Sequence, residues 1–340
     1  MRRNRYAAAA AGVLACQIFG AQAQSAVTLY GMTDVFAGSL KASGAPAHTA
    51  AIQNGGMTTS YFGLRGREDL GGGLGVFFAL ESYLRVDQGA SGRFNGDPLF
   101  ARGAYVGMDG KLGKIALGRN ANPYFVSTLS FNAFRDSFTF SPMLLHTFIA
   151  SGLGRPSIQG DTAWSNSLLV TTPSLGGLTG NLIYALGEAP GHAGQANYGA
   201  NLTYAGGKFG ATLAAQYVAI APLFNNGATT QKAVQGGISY DFTVTRLFAQ
   251  YQYASSNNAL RDHTFSLSAS TPVGAGNVLV AWAHTTRRAG EAQVQRRNTA
   301  AIGYDYYLSR RTDVYVNYLY DKVSGLATGN SVGLGIRHRF

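Results

Sequence analysis

The chain has 340 residues, a formal charge of +11, 45 glycines, 12% aromatic residues and only 13% charged ones. With a mean hydropathy near zero, this composition suits neither an ordinary soluble domain nor a disordered chain. Its Lys and Arg are scattered and form no stripe or tail, which argues against a nucleic acid partner.

Taken in order, the chain opens with a segment to be set apart from the fold. Arg2, Arg3 and Arg5 precede an apolar run from Ala7 to Gly20, and Ala21-Gln22-Ala23 is a small-x-small cleavage site. Residues 1–23 therefore read as a signal peptide. Val13-Leu14-Ala15-Cys16 is the weaker, lipoprotein-like alternative, because the apolar run before Cys16 is short. The only cysteine lies in this leader, so residues 24–340 offer no disulfide, thiolate nucleophile or thiolate metal ligand. Without the leader, 24 basic residues face 16 acidic ones, a charge of +8. No later run approaches the ~20 apolar residues of a transmembrane helix, so a membrane would be crossed by strands.

From Val27 the sequence falls into alternating segments separated by Gly, Asn, Asp, Pro and Ser. Val27–Leu40 sets Val27 and Leu29 against Thr28, Tyr30 and Asp34. In the second segment, Met57–Leu70, Phe62 and Leu64 oppose Arg65, Arg67 and Asp69. Gly73–Asp87 sets Val76, Phe78, Leu80 and Leu84 against Glu81 and Arg85. Leu99–Asp109 and Leu112–Arg119 follow, and then the alternation stops.

The stretch from about residue 120 to 164 carries Pro123, Pro142 and Pro156 with several glycines, which break any long regular element. It also carries Tyr124, Phe125, Phe131, Phe134, Phe138, Phe140 and Phe148, too many aromatics for a solvated loop. Such a segment must pack against something that hides it from water, and its length marks it as functional. Eleven further alternating segments run from Trp164–Pro173 to Gly329–Phe340, where Val332, Leu334, Ile336, His338 and Phe340 oppose Arg337 and Arg339.

Sixteen strands in all predict an all-β fold, a transmembrane antiparallel barrel whose lumen is too wide for side chains to fill. A charge facing lipid costs roughly 2–4 kcal/mol at mid-bilayer, so the Val/Leu/Phe face is the outer one and the Arg/Asp/Glu face the lumen. A soluble sandwich would reverse that assignment. Short connections such as Glu68–Gly73, Asp109–Lys111 and Ser309–Arg311 fit periplasmic turns. Long ones such as Lys41–Gly56, Gln88–Pro98, Ile220–Thr230 and Thr286–Gln295 fit outer loops, leaving both termini on the periplasmic side.

Val27-Thr28-Leu29-Tyr30-Gly31, the run from Phe62 to Leu74, Ala104-Tyr105-Val106-Gly107, Leu117-Gly118-Arg119 and the terminal Gly335-Ile336-Arg337-His338-Arg339-Phe340 resemble the Gram-negative general porins of the beta-proteobacterial type. The resemblance covers essentially all of residues 24–340. It implies an integral outer-membrane barrel that passes small hydrophilic solutes and ions, a homotrimer in contact with lipid and lipopolysaccharide, and a third loop folded inward as a constriction. It also implies that Phe340 is read by the barrel-assembly machinery.

The eyelet of such a porin sets wall arginines against acids on the loop. Strand phase nominates Arg65, Arg102 and Glu81 on the wall, and the loop offers Arg135, Asp136 and Asp161. Oppositely signed walls orient dipolar solutes and filter ions. Arg135, Asp161 and Arg119 also read as fixtures that tie the loop to the wall. Tyr61 departs from the family pattern, which often has a basic residue just before the aromatic-Gly pair. Arg65, Arg67, Arg85 and Arg102, with Arg337 and Arg339 nearer the mouth, favour anions.

None of His48, His146, His192, His263, His284 and His338 has zinc-type spacing or a nucleophile motif beside it. Gly71 to Gly75 lacks the Lys-Ser/Thr of a phosphate loop. These observations argue against an enzyme, a metal or a cofactor. A substrate-specific channel with an aromatic track of Phe131, Phe134, Phe138 and Phe140 is the narrower rival; a barrel enzyme or adhesin is a more distant one.

Overall fold

A computed structural model of the chain describes residues 27–340 except 151, 189–193 and 221–227. The leader and its cleavage site, His192 and most of the Ile220–Thr230 connection lie outside the described residues. The elements begin with β1 (Thr28–Lys41), β2 (Thr49–Asn54), β3 (Tyr61–Gly71), β4 (Leu74–Arg85), β5 (Ala90–Ser91), β6 (Gly103–Gly110) and β7 (Gly113–Ala121). Two helices follow, α1 (Pro123–Ser130) and α2 (Pro142–Phe148). Next come β8 (Ala163–Thr171), β9 (Leu178–Ala185), β10 (Asn197–Gly206), β11 (Phe209–Ala219), β12 (Thr230–Asp241) and β13 (Arg246–Ser256). The last five are β14 (Leu260–Val273), β15 (Gly276–Ala289), β16 (Ala292–Tyr307), β17 (Thr312–Val323) and β18 (Gly329–Arg339).

Every wall pairing is antiparallel, and β1 closes the sheet by pairing with β3 on one side and β18 on the other. With β2 and the two-residue β5 set aside, sixteen strands form the wall, as expected, and closure leaves no open edge. The alternation has the expected sense. Leu213 is 67% exposed and Leu334 64%, whereas Gln216, on the other face of the strand that carries Leu213, is 5% exposed. The outward side chains are apolar and the inward ones polar.

Two details differ from the sequence reading. The second wall strand is interrupted: β2 pairs with the outer half of β1, β3 with its inner half, and residues 55–60 leave the wall between them. Asp34 on β1 causes the break. Its carboxylate accepts the backbone N–H of Gly56 (3.1 Å), Met57 (2.8 Å) and Thr58 (2.7 Å), replacing the ladder bonds those groups would otherwise make. The Thr286–Gln295 connection is not long either. β15 and β16 continue through it, leaving a tight turn at Gly290 (φ +60°) and Glu291.

The packed core lies between the long segment and the wall. Phe134, Phe140 and Leu145 pack with Phe36, Leu279, Ala281, Ala301, Tyr315 and Leu319. Tyr124 and Ile158 pack with Ala214, Ala233 and Ala254. Small alanines at these inward positions leave the room that the aromatic side chains fill.

Candidate functional site

The segment between β7 and β8 is shaped by its caps. Asn122 caps α1 by accepting from Tyr124 N at 3.0 Å, and Ser141 caps α2 by accepting from Leu144 N at 3.5 Å. Pro123 and Pro142 occupy first-turn positions, where no N–H is needed, so these prolines start helices and do not merely break structure.

Its backbone is satisfied by the wall. Gln235 Nε2 donates to Tyr124 O (2.8 Å), Gln250 Nε2 to Phe131 O (2.8 Å) and Gln231 Nε2 to Ser157 O (3.1 Å). Two buried ion pairs do the same from the other side. Arg287 bonds Asp262 at 2.6 Å and donates to Leu153 O at 2.6 Å. Arg297 bonds Asp321 at 2.8 Å and donates to Leu145 O at 2.9 Å. Between them His146 bridges Thr285 and Thr299 at 2.7 Å each, and burial holds its pKa well below the usual histidine value. Sequence reasoning missed all of these wall residues. The signal was the inward phase of Gln231, Gln235, Gln250 and Gln252 and the direct cross-strand register of Asp262 with Arg287.

The tip of the segment docks on the break in the second wall strand. Ser137 Oγ donates to Gly56 O (2.6 Å), Thr139 Oγ1 to Gly55 O (2.9 Å) and Thr58 Oγ1 to Asp136 Oδ1 (3.1 Å). Asp136 is thereby held beside the lumen. Burial raises its pKa above the ordinary carboxylate value, partly opposed by the Thr58 bond and by Arg337 and Arg102.

Of the nominated wall residues, Arg65, Glu81 and Arg102 fall into one network. Tyr30 Oη donates to Glu81 Oε1 at 2.6 Å, and Arg102 Nη1 to Glu81 Oε2 at 2.5 Å. The Arg65 guanidinium lies over the Tyr30 ring at 4.6 Å, and that of Arg102 over the Tyr61 ring at 3.8 Å. Tyr61 thus acts as a platform for Arg102. Arg135 is exposed, with φ +47°, and lines a cavity of about 550 Å³ together with Arg102, Asp136, Arg246, Arg337 and Arg339. The fixtures are instead Asp161, bonded to Arg93 (2.6 Å) and Arg119 (2.5 Å), which overcome the cost of burial and hold its pKa low. Arg65, Arg67 and Lys114 line a second cavity of about 770 Å³ with Glu81 and Asp109. Both cavities carry more cations than carboxylates.

The aromatics divide. Phe131, Phe134 and Phe140 are buried against the wall and cannot form a track, whereas Phe125, Phe138 and Phe148 are half-buried. Among the described residues no three His, Cys, Asp or Glu side chains are grouped to hold a metal ion.

A model of the Gram-negative porin family matches residues 7–326. The chain is 30% identical to outer membrane porin protein 32 of Delftia acidovorans over 349 aligned residues, covering 94% of this chain and 95% of that one. It is 26% identical to an outer membrane porin protein of Bordetella pertussis, covering 97% of this chain and 98% of that one. Among solved structures, the anion-selective porin from Comamonas acidovorans is similar with a TM-score of 0.78 at 26% identity, over 93% of this chain and 100% of that one.

Proposed function

The chain belongs to the Gram-negative porin family, and we propose that its arginine-rich lumen gives it a weak to moderate preference for anions, with the segment between β7 and β8 as its constriction. It is an outer-membrane channel and not an enzyme. Small hydrophilic solutes and ions cross it by passive diffusion.

The observation that carries the anion reading is the charge of the lumen cavities. Arg102, Arg135, Arg246, Arg337 and Arg339 share one cavity with Asp136, Asp305 and Asp313, and Arg337 is bonded to the last two at 3.1 Å. Lumen charge, not total charge, sets selectivity. In this reading Arg65 and Arg102 are the wall cations of the eyelet, Glu81 trims the charge of Arg102, and Arg135 and Asp136 present both signs from the loop.

The test is a planar-bilayer recording across a salt gradient, with the protein and its Arg65→Ala/Arg102→Ala variant. Stepwise channels with an anion-selective reversal potential that moves toward zero in the variant are expected. A cation-selective potential would overturn the assignment.

By their basic start, apolar run and Ala21-Gln22-Ala23, residues 1–23 are a leader removed from the barrel of residues 24–340. The remaining parts of the reading come from the family. The barrel is a homotrimer, in keeping with the trimer form of OmpT of Vibrio cholerae, a structural neighbour. Its outer face meets lipid and lipopolysaccharide. Phe340, whose backbone pairs with Gly31 at 3.1 and 3.2 Å, is the terminal residue offered to the assembly machinery.

A further inference from the structure

The constriction segment turns a second apolar surface away from the wall. Phe125 and Phe148 lie with ring centroids 5.3 Å apart, Phe125 and Phe138 at 6.0 Å, and Phe138 and Phe148 at 6.2 Å. None of the three is fully buried, and the adjacent Ile149 is 36% exposed. Apolar groups facing a water-filled channel gain nothing from solvent, and contiguous ones mark a place where a ligand lies.

Phe138, Phe148 and Ile149 form one side of a cavity of about 930 Å³ that is also lined by Phe94, Arg85 and Arg155. Neither arginine is hydrogen-bonded or ion-paired to a carboxylate among the described residues; the one carboxylate within electrostatic reach of Arg155, Asp262, is held by Arg287. Arg155 is 8% exposed; its Nη1 has no hydrogen-bond partner and its Nη2 reaches only Ser256 Oγ, at 3.4 Å. Arg85 bonds only neutral acceptors, Gln88 Oε1 at 3.1 Å, Asn95 Oδ1 at 2.8 Å and Ser91 O at 3.4 Å, and its Nε is unpartnered. The third arginine here, Arg93, is committed to Asp97 and Asp161. A nearly buried guanidinium with no anion bonded to it is costly, and the cost is recovered when a carboxylate binds. An aromatic floor selects what that carboxylate is attached to.

We propose that this cavity is a subsite for small arene carboxylates, in which the ring lies on Phe138 and Phe148 and the carboxylate meets Arg85 and Arg155. The channel then takes up aromatic anions ahead of aliphatic anions of equal charge. This rests on the channel reading above.

The test titrates single channels of the purified protein in chloride with benzoate, cyclohexanecarboxylate, acetate and benzylammonium, and reads the concentration that half-reduces the current. Saturable block is expected for benzoate at roughly tenfold lower concentration than for acetate, the size of one aromatic contact, with cyclohexanecarboxylate between them and benzylammonium without block. In Phe138→Ala/Phe148→Ala the benzoate advantage over acetate is lost. In Arg85→Gln and Arg155→Gln block by all three anions weakens. Heat-modifiability on gels identifies variants that fold; if Arg155→Gln does not, Arg85→Gln carries the charge arm. Equal block by benzoate and acetate in open channels overturns the subsite and leaves the porin intact, as does a benzoate advantage that survives both the Phe and the Arg changes. Absence of any channel from folded protein overturns the porin reading instead.

Discussion

In the proposed channel, Asp136 is the side chain at the loop tip through which pH would act on selectivity. Burial raises its pKa above that of an ordinary carboxylate, so on acidification it takes its proton before exposed carboxylates do. Its negative charge then leaves the arginine-lined cavity. Anion preference is therefore expected to rise as pH falls, beginning above the usual carboxylate range, and Asp136→Asn should flatten that first step; reversal potentials measured from about pH 8 to about pH 3, a window that brackets the ordinary carboxylate pKa, check it. The linked stability runs the same way. An acid whose folded pKa is raised favours the fold below that pKa, and this contribution is lost as pH rises through it. Tyr61 makes a second point at this scale. It stands where a cation was expected from the family pattern, yet its ring lies 3.8 Å from the Arg102 guanidinium. Tyr61→Leu should free Arg102 to swing within the lumen, seen as increased open-channel noise with the sign of selectivity retained.

At the scale of elements, the segment between β7 and β8 is held less by its own helices than by what the wall supplies. α1 and α2 have eight and seven residues, too short to be stable alone. Their seat is the row of inward glutamines, the alanines that make room and the two Arg–Asp pairs whose spare N–H groups reach loop carbonyls. Removing one partner of such a buried pair leaves a bare charge, at a cost of about 3–5 kcal/mol. Asp321→Ala should accordingly strand Arg297, lower the temperature at which the folded form is lost on gels, and make the current flicker. Asp321→Asn, which keeps an acceptor, should do so less. The legibility of this region was uneven. That the segment is packed could be read from its aromatics, whereas the residues that pack it sit far away in the chain, from Phe36 on β1 and residues 55–58 upstream to β11–β17 downstream, and no local pattern pairs them with it.

For the whole molecule the lipid-facing and water-facing surfaces have opposite tolerances. Leu213, 67% exposed on the outward face of β11, faces hydrocarbon, so Leu213→Arg is expected to cost about 2–4 kcal/mol and to shift urea unfolding of the barrel accordingly. Arginine is native to the opposite face of the same wall. The proposed anion preference follows from the summed lumen charge and should weaken as salt shortens the screening length from ~10 Å at 0.1 M to ~3 Å at 1 M; recordings at fixed concentration ratio and rising ionic strength check it.

The sequence by itself determined the sixteen wall strands and which face of each meets water, because side-chain alternation with period two is a local property that every strand states for itself. It also nominated Arg65, Glu81 and Arg102 from strand phase and Arg135 and Asp136 from their place in the non-alternating stretch, the residues proposed above for the eyelet. Only the tertiary structure decided how they are joined. Glu81 is bound to Arg102 on its own wall rather than to the loop, Asp34 opens the second strand to receive the loop tip, and the phenylalanines divide into a buried set and a set facing the lumen. Each of those outcomes depends on barrel closure, which brings residues far apart in the chain to one cross-section, and contacts across a lumen leave no periodic trace in sequence.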